Sequence, residues 1–171
     1  MRLLTALVPL ALIAMPAQAQ VSPHTFALKN ASGGSAGTVT LTDAPKGLLV
    51  HVEATGLTPG WHGIHIHEKA DCSDAAFKTA GAHVHSAVPV VHGLLNPAAS
   101  DQGDLTNIYA GADGAAKADI ATTMASLAGM AGTAKLLDAD GSAIVIHAKP
   151  DDYTTQPIGG SGDRVACGVV R

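Results

Sequence analysis

An all-β sandwich or barrel is the fold class that the sequence predicts. Two observations carry the prediction: apolar and polar residues alternate in several short runs, and turn-forming residues interrupt those runs at short intervals. Thr38 to Thr42 (TVTLT), Leu49 to Glu53 (LVHVE) and Lys117 to Thr122 (KADIAT) show the period of two expected of strands with one buried face. Turns between runs come from Ser32 to Gly34, Pro45 to Gly47, Thr58 to Gly60, Asp113 and Gly114, and Asp138 to Gly141.

Taken in order, the chain begins with one Arg ahead of an apolar run that ends in Ala17, Gln18, Ala19, the small-x-small pattern of a cleaved export signal. Residues 1–19 are read as that signal and 20–171 as a single domain. The run from Leu3 to Met15 is interrupted at Pro9 and is short for a membrane span. Without Arg2 the remaining chain has 9 Lys plus Arg against 14 Asp plus Glu, a formal charge of −5. No basic patch recommends a nucleic-acid partner. Cys72 and Cys167 both follow the signal, and in an oxidising compartment such a pair becomes one disulfide.

Later elements are less regular. Ala121 to Ala134 is rich in residues that favour helix, but Gly129 and Gly132 argue against a long one. Two long segments, Glu68 to Asp104 and Pro150 to Asp163, have no strand character and are rich in Gly, Pro, His and Asp. Loops of that length inside a compact domain are usually functional.

Histidine is the chemical signal. The chain holds nine, and His62, His65, His67, His83, His85 and His92 fall within one short span. His65 and His67 form an H-x-H pair on a strand, which sends both imidazoles from the same face about 6 to 7 Å apart. Two such rings can converge on one metal, and the second H-x-H (His83, His85), His92 and the late strand IVIH ending at His147 extend the cluster. Imidazole-rich sites suit copper or zinc, and added carboxylate suits zinc. A zinc peptidase is excluded because position 71 is Asp where its helix motif needs a second His. Asp138 to Ser142 begins like a calcium loop but lacks the closing Glu, so a turn is the better account.

The blocks GLTPGWHGIHIHEKADC (Gly56 to Cys72), GAHVH (Gly81 to His85), HGLLNP (His92 to Pro97), GDL (Gly103 to Leu105), IVIHAKPDDY (Ile144 to Tyr153) and GDRVACGVV (Gly162 to Val170) resemble those of bacterial exported copper,zinc superoxide dismutases, in the same order. The resemblance implies an eight-stranded Greek-key β-barrel with metals held outside it beneath two long loops. It implies conversion of superoxide to dioxygen and hydrogen peroxide by Cu(II)/Cu(I) cycling. It assigns copper to His65, His67, His83 and His147, and zinc to His83, His92 and Asp104, with His83 as the bridge and proton donor. It makes Asp151 the carboxylate that links His65 to His92, Arg164 the docking group for superoxide, and Cys72–Cys167 the intrachain disulfide. Because the chain is net negative and the substrate an anion, a local positive patch must steer it, from Arg164 with Lys149 as a second candidate. His62 matches a packing position at the barrel end.

One position departs from the family pattern. A third zinc histidine is expected three residues before Asp104, and Asp101 stands there. Three outcomes are open: Asp101 ligates through oxygen, His85 substitutes, or the chain is a copper-only enzyme with a degraded zinc site. The rival functional class is an exported copper-binding protein without turnover. The resemblance also points to the periplasm or the extracellular space, without a stable membrane anchor, and admits a homodimer.

Overall fold

A computed structural model describes residues 22–171, so the reading of residues 1–19 as a signal lies outside the described residues. Eleven strands run in order: β1 (His24–Asn30), β2 (Ser35–Ala44), β3 (Gly47–Ala54), β4 (Gly60–His62), β5 (Ile64–His67), β6 (Ile108–Ala110), β7 (Ala116–Thr122), β8 (Ala125–Ser126), β9 (Ala134–Lys135), β10 (Ser142–His147) and β11 (Arg164–Val170). Seven of them form one antiparallel sheet in the order β5-β10-β11-β1-β2-β3-β7. β4 continues into β5 across Gly63 and pairs with β6, which packs beside β7. Counting β4 and β5 as one bent strand, eight strands close into the Greek-key barrel.

Alternation explains which side chains enter the core. In β3, Leu48, Val50, Val52 and Ala54 are buried while His51 faces solvent, as its strand pattern requires. Ile64 and Ile66 of β5 and Ile144 and Ile146 of β10 enter the same core. The opposite face of these two strands is buried as well, and that burial has a separate origin. Ala143 and Val145 of β10 and Cys167 of β11 pack against Phe77, Ala80 and Cys72 from the long loop after β5, forming a second small core outside the barrel. Burying Phe77 alone contributes about 2 to 3 kcal/mol toward holding that loop in place.

The Ala-rich stretch forms no helix. Asp43 accepts hydrogen bonds from the backbone N–H groups of Leu127 and Ala128, and the Ser126 hydroxyl accepts from those of Gly129 and Met130. These side chains offer the backbone partners that compete with helical ones. The segment instead forms the short parallel pair β8 and β9.

One irregularity sits next to the histidines. β10 and β11 keep one register from Ser142↔Val170 to Ile146↔Ala166, then slip by one so that His147 faces Arg164. Val165 is the residue skipped by this bulge.

Candidate metal centre

The outer face of the sheet gathers the first three imidazoles. His65 pairs with Val145 and His67 with Ala143, so both leave the face opposite Ile64 and Ile66, and His147 lies two residues beyond Val145 on that face. Backbone bonds then deliver the loop: Val84 N–H donates to the Ile66 carbonyl (2.9 Å), Ile66 N–H to Gly103 (2.9 Å) and Glu68 N–H to Ala82 (2.9 Å). This strand-like attachment sets His83 opposite His67 and Asp104 opposite His65.

Four buried ring nitrogens, His65 Nδ1, His67 Nε2, His83 Nε2 and His147 Nε2, have no hydrogen-bond partner among the described residues. These are the histidines whose donor atoms lie within 4.8 Å of one another. The opposite nitrogen of each ring is anchored: His65 Nε2 to Asp151 Oδ2 (2.8 Å), His67 Nδ1 to the Gly81 carbonyl (3.0 Å), His83 Nδ1 to Asp101 Oδ2 (2.8 Å) and His147 Nδ1 to the Gly162 carbonyl (3.1 Å). Orphaned buried polar atoms are expensive, and four aimed at one space with fixed rings suit a metal that prefers nitrogen. Burial lowers the basicity of His65, His67 and His147, the last to about 3, which keeps their lone pairs free.

A second group adjoins the first through His83. His92 Nδ1 lies 2.7 Å from Asp104 Oδ1, and His83 Nδ1 lies 3.3 Å from the same oxygen. Asp101, the residue in place of the expected histidine, is buried here with its Oδ2 2.8 Å from His83 Nδ1 and 3.5 Å from His92 Nδ1. In this second group the donors that lie within 4.8 Å of one another are those of His65, His83, His92 and Asp104. Asp101 stands beside them, and His85 turns its Nδ1 to the His83 carbonyl (2.7 Å). Burial works against protonation of His83 and His92, but the carboxylates of Asp101 and Asp104 outweigh it, and with Asp151 they raise His92 to about 11. In return the two rings hold the Asp101 carboxyl well below its ordinary range against the effect of burial. Nitrogen and carboxylate donors together suit zinc.

Asp151 spans the two groups, with Oδ2 on His65 Nε2 and Oδ1 on His92 Nε2 (3.1 Å). Space for it depends on Gly159: at φ +59° a side chain is disfavoured, and a Cβ there would lie 1.6 Å from Asp151 Oδ1. His62 stands apart and bridges the carbonyls of His147 and Thr58 at 2.7 Å each, a packing role at the barrel end.

Arg164 is half-buried, and its guanidinium donates to the carbonyls of Phe77 and Gly81. Gly81 thus accepts from both Arg164 (2.7 Å) and His67. Cys72 and Cys167 are joined, which ties the loop bearing those carbonyls to the strand bearing Arg164. Arg164 lines a cleft of about 490 Å³ with Lys78, Asp163, Gly162, Ala75 and Ala76. Lys78 was not legible as a cleft residue, because its position depends on a turn capped by Asp74, whose carboxylate accepts from the N–H groups of Ala76 and Thr79. Lys149 lies beside Gly162 but does not line the cleft.

Residues 35–170 match the family model described as copper/zinc superoxide dismutase. A superoxide dismutase [Cu-Zn] of Caulobacter vibrioides is 60% identical over 147 residues, covering 86% of this chain and 84% of that protein. The crystal structure of a double mutant of a superoxide dismutase-like protein from Bacillus subtilis superposes with a TM-score of 0.80 at 37% identity, over 85% of this chain and 95% of that one. Cu/Zn superoxide dismutase from Brucella abortus gives 0.70 at 29% identity, over 88% and 100%.

Proposed function

This chain belongs to the copper/zinc superoxide dismutase family and converts superoxide to dioxygen and hydrogen peroxide with copper and zinc as cofactors, and on that premise we propose how its side chains divide the work. His65 Nδ1, His67 Nε2, His83 Nε2 and His147 Nε2 hold copper; the observation that carries this is that these four nitrogens are buried, convergent and unpartnered. His83 Nδ1, His92 Nδ1 and Asp104 Oδ1 hold zinc. Bound copper would supply the one-electron redox chemistry, between Cu(II) and Cu(I), that dismutation of two superoxide ions requires.

The protein's own groups do the rest. Arg164 offers its guanidinium to the anion and is kept in place by the Phe77 and Gly81 carbonyls. His83 Nε2 would carry a proton to the departing peroxide, while Nδ1, held by Asp101, keeps the ring oriented. Asp151 fixes His65 and His92 at once, so the two metal groups share one geometry. Lys78 and Arg164 line one cleft together with Asp163, and the two cations would draw superoxide toward it.

Superoxide consumption by copper-loaded protein tests this reading, and a rate equal to that of buffer overturns it. Arg164→Gln is expected to lower kcat/KM by about tenfold, the loss of one charge-assisted contact, with copper content unchanged. Lys78→Gln is expected to lower kcat/KM by about two- to threefold at low salt and to flatten its dependence on ionic strength. An unchanged salt profile measured by stopped flow removes the steering role.

We also propose export to the periplasm or beyond, with residues 1–19 removed; the Cys72–Cys167 disulfide supports an oxidising destination. Among the described residues no helix is long and apolar enough to cross a membrane. An N-terminus at Gln20 in protein from the native source checks the boundary. For assembly we propose a homodimer, supported by Trp61 and Tyr109, which pair on the outer face of β4 and β6 yet remain 57% and 56% exposed. Sedimentation at the mass of one chain overturns it.

A further inference from the structure

Asp101, a fourth buried side chain, stands beside the zinc set proposed above. His83, His92, Asp101 and Asp104 are all buried, at most 4% exposed. Each carboxylate has one oxygen fixed by a backbone N–H: Asp101 Oδ1 accepts from Gly103 (2.9 Å) and Asp104 Oδ2 from Gly93 (2.7 Å). The remaining oxygens, Asp101 Oδ2 and Asp104 Oδ1, both turn toward the Nδ1 atoms of His83 and His92, at 2.7 to 3.5 Å. His92 Nδ1 and Asp104 Oδ1 approach to 2.7 Å but are not aligned to bond one another, and both lack a hydrogen-bond partner. They are aimed at a shared space rather than at each other.

We infer that Asp101 is the fourth zinc ligand, and that it gives the two neighbouring sites different donor sets so that copper and zinc are sorted between them. This rests on the reading that zinc lies among His83, His92 and Asp104. The first site offers four imidazole nitrogens, and the second two nitrogens and two carboxylate oxygens. Nitrogen donors favour Cu(II) over zinc, whereas exchanging an imidazole for a hard anionic oxygen weakens that preference. Two carboxylates also cancel the charge of a divalent ion when both histidines are neutral. A buried site that carries no net charge avoids much of the desolvation penalty that a cationic one bears.

The test starts from metal-free full-length protein. Exposed to excess Cu(II) and then desalted, the wild type is expected to retain one copper per chain by elemental analysis. Asp101→His is expected to retain two, with electron paramagnetic resonance intensity reduced by coupling of the ions across His83. Asp101→Asn is expected to bind zinc at least about tenfold more weakly in chelator competition, with its copper count still one. Two coppers in the wild type, or undiminished zinc affinity in Asp101→Asn, overturns the inference. Asp104→Asn separates the two levels of the argument: if it too binds zinc normally, the zinc set itself is wrong, whereas loss there with retention in Asp101→Asn removes only Asp101.

Discussion

His83→Ala is expected to lower superoxide turnover by about 100-fold or more and to reduce the content of both metals. Mutating the partner of a metal ligand typically costs 10- to 100-fold, and removing a ligand shared by two sites starts from the top of that range. Its Nε2 points into the all-histidine group and its Nδ1 into the carboxylate group, so no other side chain takes over either contact. His92→Ala, which touches only the second group, is expected to lose zinc and keep copper. The comparison is read from copper and zinc per chain together with stopped-flow superoxide decay. If His83→Ala retains both metals and a tenth of the activity, the bridging assignment is wrong.

Replacing Cys72 and Cys167 with serine is expected to have the largest effect on stability. The bond closes a loop across a sequence separation of 95 residues, for which the chain-entropy model gives about 4 to 5 kcal/mol. In a domain of this size that corresponds to a fall in Tm of roughly 10 °C or more, measured by scanning calorimetry. Kinetics are expected to follow. Without the bond, the loop that presents the Phe77 and Gly81 carbonyls keeps its small apolar cluster and its backbone hydrogen bonds but loses the covalent tie to β11, and the seat of Arg164 loosens. The variant's kcat/KM should therefore move toward that of Arg164→Gln while copper stays bound. A Tm within 2 °C of the parent, as an order of magnitude, excludes this account.

Legibility differed between kinds of residue for physical reasons. Strands were readable because alternation is a property of side chains: TVTLT, LVHVE and KADIAT fall in β2, β3 and β7. The H-x-H pair was readable because its spacing alone puts two rings on one face. The separate blocks carried the remaining residues of the cluster, and the structure brings them together around His83. Backbone partners were not readable. Nothing in the sequence marks the carbonyls of Gly81 and Gly162 as the groups that orient His67 and His147, since every residue has a carbonyl. The placement of Asp101 and His85 also needed coordinates: Asp101 Oδ2 lies 2.8 Å from His83 Nδ1, whereas His85 Nδ1 turns to the His83 carbonyl. Lys78 carries no sequence mark of its place in the cleft, which it reaches from the loop after β5, while Lys149 lies beside Gly162.

The slip between β10 and β11 bears on any attempt to transplant this chemistry. Had the register continued, Val165 would face His147, and an isopropyl group would occupy the place that Arg164 takes. A builder copying the histidines and the arginine onto an ideal, regular barrel would reproduce every residue type and still seat a valine beside the metal. The skipped residue is thus part of the blueprint, although it touches no substrate and would look dispensable in a list of functional side chains.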